Sequence, residues 1–399
     1  MQKRLTFFIA LFIGFSSLAQ VNLDSLWNVW NDNTQVDTCR LKAMHKIAID
    51  IICSKPDSAF YFAGLMYDFA ESSNNKKWMA TALNIQGISL YFKSNYTQAK
   101  DYHTKGLKIK EEIGDKKGIA ASLNNIGLIH KNQGDLGKAI DYYTRSLKIQ
   151  EEIGNKYGIA SSLNNIGIIY KKQGDYAKAI DYYIKSLKIK EEIGDKKGIA
   201  NTLGNIGVIY KNQGDYPKAI DYQTRSLKIN EELENKQGIA YSLNVIGNIY
   251  KKQGDFAKAM DYYTRSLKIN EEIEDKRGNA SSLINIGIIY YEQGNYTIAL
   301  DKSTKALSIA QEIGNVQQIK EASESLWEIN KKLGKHRQAL EMHELYIQMR
   351  DSILSIENKT ATIQQEFKYK YEKQAAADSV VAAEADKVKN AQLAVEKAQ

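Results

Sequence analysis

The sequence predicts an all-α protein: a solenoid of about eight helix-turn-helix units followed by a long C-terminal helix. Three observations carry that expectation. Only 2 of the 399 residues are proline, a residue excluded from helix interiors and frequent in loop-rich folds. The stretch LNNIGIIYKKQGDYAKAIDYY, residues 163–183, recurs nearly unchanged at a forty-residue period, with blocks beginning at Thr81, Ala121, Ser161, Asn201, Tyr241 and Ser281 and no gap between them. Weaker copies start near Leu41 and Glu321, and a fixed period of this length marks a stacked-repeat architecture. Within each block, finally, the apolar residues keep helical spacing.

In chain order, residues 1–19 come first. Lys3 and Arg4 form a basic start, Leu5 to Phe15 an apolar run, and Ser17 and Ala19 place small residues where a signal peptidase reads. The run is shorter than the ~20 residues that span a bilayer. Cleavage near Ala19 and export to a periplasmic or extracellular compartment are therefore expected, with no membrane span in the mature chain. Residues 20–36 are expected to form a lead-in helix and residues 37–350 the repeats. Cys39 and Cys53 fall in one predicted helix, roughly 21 Å apart at 1.5 Å per residue, which is beyond disulfide reach. They are expected to be half-buried structural thiols, with pairing between molecules as the alternative.

Each unit divides into two helices. In residues 160–199, Leu163, Ile166, Gly167 and Tyr170 lie on one helical face, and Ala179, Tyr183 and Ser186 supply the matching face after a break at Gln173-Gly174-Asp175. Asn95, Asp135, Asp175, Asp215, Asp255 and Asn295 open the second helices; Asp115, Asn155, Asp195, Asn235, Asp275 and Asn315 open the next first helices. All are residues whose side chains cap exposed N–H groups. Gly114, Gly154, Gly194 and Gly314 precede the second set, suited to the left-handed residue that ends a helix. Glu234 and Glu274 break that rule, so their turns are expected to be strained or differently closed. A mid-helix glycine costs about 1 kcal/mol against alanine. At Gly127, Gly167, Gly207, Gly247 and Gly287 the expected offset is close approach of the paired helix at Ala139, Ala179, Ala219, Ala259 and Ala299.

From Gln338 onward there is neither proline nor glycine. Met349, Ile353, Ile356, Thr360, Ile363 and Phe367 step by four and three, the spacing of a coiled-coil seam. Residues 351–399 are thus expected to form a charged, coiled-coil-like helix that pairs two copies of the chain, or else a disordered charged tail.

The pattern Leu163, Ile166-Gly167, Tyr170, Ala179, Tyr183, Ser186 resembles the tetratricopeptide repeat, with leucine in place of the usual first tryptophan and no proline at the repeat end. The period, with its extended second helix LKIKEEIGDKKGIA, is similar to the longer subclass found in kinesin light chains and spindle-orientation scaffold proteins. The resemblance covers about residues 35–350. It implies a right-handed solenoid whose first helices line a groove for an extended or helical peptide. The layout is also similar to the extracytoplasmic regions of bacterial signalling proteins, which implies a sensor or adaptor working with a kinase, cyclase or phosphatase, or a truncated remnant of one, as the alternative role.

The residues facing away from the apolar stripe stack into polar columns. Those expected to line the groove are Asn124, Asn125, Asn164, Asn165, Asn205, Asn244 and Asn285, with Lys131, Lys171, Lys172, Lys211, Lys251 and Lys252. Asparagine both donates and accepts, so a ladder of them can pair with a peptide backbone, and the lysines favour an acidic partner. The family's carboxylate-clamp arrangement is not evident, because Asn164 and Ile168 stand where it needs lysine and asparagine.

No catalytic, cofactor or metal residues are expected. His45, His103, His130, His336 and His343 are scattered without metal spacing. Glu191-Glu192 and its copies recur as a solvated charge set. A nucleic-acid reader needs varied residues along its repeats, whereas these columns barely vary, so no nucleic-acid partner is expected.

Overall fold

A computed structural model describes residues 17–355, and of these the side chains from residue 23 onward. The expected C-terminal helix lies mostly outside the described residues, as does the signal segment up to residue 16. The described chain is helical with no strand, as its repeat pattern requires, and it divides into two compact units, Met1–Gly154 and Asn155–Gln399.

In the first unit, helices Ser17–Asn31, Asp37–Ile51 and Pro56–Ser72 lead into the hairpins Lys76–Phe92/Tyr96–Glu112 and Lys116–Asn132/Leu136–Glu152. Leu41, Met44, Phe62, Met66 and Ile85 form the core of its leading end, with Trp30 packed against it. Arg40 ties the first helix down: its Nε donates to the Trp30 carbonyl at 2.9 Å and its guanidinium lies 4.4 Å from the Phe69 ring. The two cysteines differ from expectation. The helix ends at Ile51, leaving Cys53 in the following turn and Cys39 in the first helical turn, and both are exposed free thiols.

In the second unit, four hairpins run from Lys156–Lys172/Tyr176–Glu192 through Lys196–Gln213/Tyr216–Glu232 and Lys236–Lys252/Phe256–Glu272 to Lys276–Glu292/Tyr296–Glu312. Val316–Lys332 and a helix over 336–355 follow. Each second helix packs on the first helix of the next repeat. Ala179, Tyr183 and Leu187 meet Leu203, Ile206 and Ile209, and full burial of an isoleucine such as Ile206 stabilises by about 2 kcal/mol.

The punctuation works as the sequence implies. Asp175 accepts from Lys178 N and Asp195 from Gly198 N, whereas Asn295 makes no side-chain cap bond. Gly194, at φ 70°, closes the preceding helix, with Gly194 N donating to Glu191 O and Asp195 N to Lys190 O, the paired bonds of a Schellman closure. Glu234 and Glu274 make the same closure at φ 51° and 55°. Their turns are strained, not rebuilt.

Two features refine the expected packing. A Cβ at Gly167 would meet the Tyr183 ring at 2.8 Å and the Ala179 carbonyl only at 3.3 Å. The glycine therefore admits a fully buried tyrosine ring, and the alanine backbone is the lesser contact. The second glutamate of each repeated pair is exposed but ion-paired. Glu192 receives Lys156 at 3.1 Å and Glu232 receives Lys196 at 3.0 Å, joining the start of a first helix to the end of its own second helix. Each charge alone opposes its helix dipole; the pair cancels both. The outer tyrosines stack within their hairpins, as Tyr170 does on Tyr182 with centroids 5.4 Å apart.

Candidate functional site

The amphipathic pattern buries the stripe of each first helix, so the positions beside it form an edge. Along that edge the structure engages the expected groove residues with one another. In the first unit, Asn125 Nδ2 donates to Asn84 Oδ1 at 2.9 Å and Asn124 Nδ2 to Ser146 Oγ at 3.1 Å, while Lys131 is half-buried. In the second unit, Lys171 Nζ donates to Asn205 Oδ1 at 3.1 Å and Lys251 Nζ to Asn285 Oδ1 at 2.6 Å. Asn164 Oδ1 accepts from the Thr202 hydroxyl at 3.5 Å, and Asn244 Oδ1 accepts from Asn248 Nδ2 at 3.0 Å. Asn165 is half-buried, and Lys172 and Lys252 are exposed.

This arrangement corrects the idea of a ladder of free amides. In these two repeats the asparagine oxygen is taken up by the lysine of the preceding repeat, 34 residues earlier. The middle repeat departs. Val245 stands where Asn205 and Asn285 stand, and is buried. No hydrogen bond or ion pair among the described residues reaches the half-buried Lys211 ammonium.

Electrostatics follow from that geometry. Burial lowers the basicity of Lys171, and the charges of Lys172 and Lys211 lower it further. Lys211 is lowered by burial and by Lys252. Lys251 is pushed down to about 8 by burial, with Lys252 and Lys211 acting in the same sense and Glu321 opposing them. These lysines of successive repeats thus repel one another across a partly desolvated edge, where charge interactions are stronger than in water.

A second set of lysines is buried in the second helices, and the sequence pattern had not marked it. Lys190 Nζ donates to Thr202 Oγ1 at 2.8 Å, and Lys110 Nζ to Ser122 Oγ at 2.8 Å. Their signal in the sequence is a matched charge five residues on: Lys110 goes with Asp115 and Lys190 with Asp195, while the neutral Asn230 goes with Asn235, whose Nδ2 donates to it at 2.7 Å. Asn270 with Asp275 is the exception. Gly198 completes the set, because a Cβ there would lie 2.7 Å from Asp195 Cγ and 3.0 Å from Lys190 Cδ. These groups hold repeats together in the interior. Among the described residues there is no cluster of three or more metal-ligating side chains, and no helix long and apolar enough to cross a membrane.

Stacked helical hairpins with a polar, cationic edge on their first helices define the class of helical-repeat scaffolds. The particular family follows from the sequence: the tetratricopeptide repeat model matches residues 78–152, 118–192, 158–232, 198–272 and 237–312, and the chain belongs to that family. No curated protein sequence matches the chain. Among solved structures, the apo quorum sensor NprR from B. thuringiensis is similar over 83% of this chain and 98% of its own, at 16% identity and TM-score 0.60. A Rap protein complexed with Competence and Sporulation Factor is similar over 84% and 98%, at 15% identity and TM-score 0.56. The Rap conjugation gene regulator of plasmid pLS20, in complex with the Phr* peptide, is similar over 73% and 78%, at 16% identity and TM-score 0.55. At these identities the likeness is one of fold.

Proposed function

We propose that this chain is a binding scaffold and not a catalyst, and that it holds an extended acidic peptide along the lysine-bearing edge of its first helices. The observation that carries this reading is the column Lys171, Lys211 and Lys251, with basicity lowered at all three positions and no partner for the middle ammonium among the described residues. A carboxylate placed beside Lys211 relieves that repulsion and supplies the missing partner, which makes ligand binding and lysine protonation mutually reinforcing. Rap proteins similar in fold are seen with the Phr* peptide and with Competence and Sporulation Factor, which supports a peptide as the ligand; its acidic character is inferred from the lysines of this chain. The basic and apolar start of the sequence extends the reading to an exported protein, tested by whether the mass of the chain recovered outside the cytoplasm begins after Ala19.

The binding test uses a fluorescein-labelled pool of Asp/Glu-rich peptides and the full chain. The wild type is expected to retain the pool with an affinity that falls as salt rises, and the Lys171→Gln/Lys211→Gln/Lys251→Gln variant to lose at least tenfold. Equal retention by that variant, with its helical content unchanged, overturns the proposal.

A further inference from the structure

The edge lysines of the second unit keep a fixed offset from a second row of side chains. Ile168, Val208 and Asn248 each stand three residues before Lys171, Lys211 and Lys251 on the same first helix, a spacing that puts both residues on one face. All six are half-buried, so each helix presents a floor residue and, one turn further on, a cation. The rows are closely set. Lys171 Nζ reaches Asn205 of the next first helix at 3.1 Å, and the charge of Lys211 acts on both Lys171 and Lys251. Helices in such contact lie about 8–10 Å apart, axis to axis.

A chain laid across these helices must return a like side chain at each such step. A β-strand advances about 10 Å in three residues but turns the third side chain to the opposite face. An α-helix needs seven residues for the same advance at about 1.5 Å each. A polyproline II segment has three residues per turn and rises about 3.1 Å per residue, so every third side chain comes back to one face after about 9 Å. Among the simple backbone conformations it matches both the step and the facing with the fewest residues.

The floor sets the chemistry of the residues between. Ile168 and Val208 offer apolar surface beside Lys171 and Lys211. Asn248 offers none, and its amide is committed, Nδ2 donating to Asn244 Oδ1 at 3.0 Å and Oδ1 accepting from the Tyr263 hydroxyl at 3.0 Å. We propose that this edge takes an acidic segment in the polyproline II conformation, with a carboxylate at every third residue opposite Lys171, Lys211 and Lys251, and apolar spacers, proline above all, over Ile168 and Val208. The proposal rests on the groove reading and adds to it the conformation and spacing of the ligand.

The test measures fluorescence anisotropy of a fluorescein-labelled peptide of Asp-Pro-Pro triplets with the full chain. Binding is expected to be at least fivefold tighter than for a permutation of the same length and composition with its aspartates grouped at one end. It is also expected to exceed that of an alanine-rich helical peptide carrying the same number of aspartates at seven-residue spacing. Equal affinity for triplets and permutation, or tighter binding of the helical peptide, overturns the proposal. Val208→Asn, a change that position 248 shows the repeat accepts, is expected to narrow the preference for Asp-Pro-Pro over Asp-Ser-Ser triplets at least twofold with helical content unchanged. A preference that stays as large removes the spacers from the floor and overturns that part of the proposal. Retention of the Asp/Glu-rich pool with no preference for triplets leaves the groove reading standing and removes the polyproline II reading alone. Absence of binding by both pool and triplets removes the two together.

Discussion

Lys190 in the interior of the second unit and Lys211 at its edge both lose basicity to burial, yet they teach opposite lessons. Lys190 is enclosed with Thr202 as its hydrogen-bond partner and Asp195 as its counter-charge. Lys211 is half-buried, meets a valine where its neighbours in the column meet an asparagine, and feels a second cation, Lys252. A buried charge whose hydrogen-bond partner lies on the helix stacked against it is an element of stacking. One left without a partner among the described residues, at the surface of the next repeat, is poised for something that arrives from outside.

The most damaging way to break the interior arrangement is Gly198→Ala. The added methyl would press on both Asp195 and Lys190, and the capping bond from Gly198 N to Asp195 Oδ1 at 2.9 Å could not keep its geometry. Overpacking together with loss of a cap is expected to cost about 3 kcal/mol, read as a drop in the urea midpoint. Gly204→Ala is the control on the same helix: its nearest neighbour, Ser226 Oγ at 3.5 Å, is in ordinary contact. That variant is expected to gain up to about 1 kcal/mol from helix propensity.

Next in size is Lys190→Met. Burial pushes the Lys190 ammonium down to about 8, against the opposing pull of Asp195. Between that value and the usual lysine range the unfolded chain binds the proton and the folded chain does not, so wild-type stability gains from this group as pH rises through that window. Below pH 8 the folded state carries the full cost of a desolvated cation. Methionine removes that cost, and the variant is expected to be more stable than the wild type by about 2 kcal/mol at pH 7, with the advantage shrinking towards pH 10.5. Denaturation midpoints across that range check it; an advantage independent of pH would mean that packing alone is responsible.

Much of the fold was legible because it depends on neighbours in sequence. The caps at Asp175 and Asp195, the left-handed glycines and the strained Glu234 and Glu274 are all set within a few residues of themselves, and the structure uses them as the sequence implied. The site was legible as a set of positions but not as a set of bonds. Lys171 finds Asn205 across 34 residues, in the next repeat, and only the stacking geometry reveals that the asparagine oxygen is occupied and that Val245 withholds the same bond from Lys211. The glycine column was read rightly as close approach of the paired helix but not as to which group approaches, for a related reason. The small residues at Gly167 and Ala179 suggested backbone contact, while the large ring of Tyr183 fills the space that the glycine leaves. The cysteines were placed too deep because the helix was extended two residues past Ile51. Gln318 interrupts the column of Gly118, Gly158, Gly198, Gly238 and Gly278, a signal that was there to be read, but its bond to the Arg277 carbonyl at 2.8 Å appears only once the repeats are stacked.

The smallest expected effect is the sharpest test of the comparison. Val245→Asn places at position 245 the acceptor that Lys171 and Lys251 find at Asn205 and Asn285, so Lys211 gains an internal partner. Val245 is buried, and exchanging its branched methyls for an amide sacrifices some apolar burial, so the gain of one charge-assisted hydrogen bond leaves stability within about 0.5 kcal/mol of the wild type. Ligand binding should move more clearly than stability. With Lys211 satisfied from within, a carboxylate offers it less, and affinity for the acidic peptide pool is expected to fall about threefold, while Lys211→Gln, which removes the charge itself, falls further. The order wild type, Val245→Asn, Lys211→Gln in measured affinity would establish that the missing partner and not the charge alone makes this position receptive. Equal affinities for wild type and Val245→Asn would place the whole effect in the positive charge of the edge.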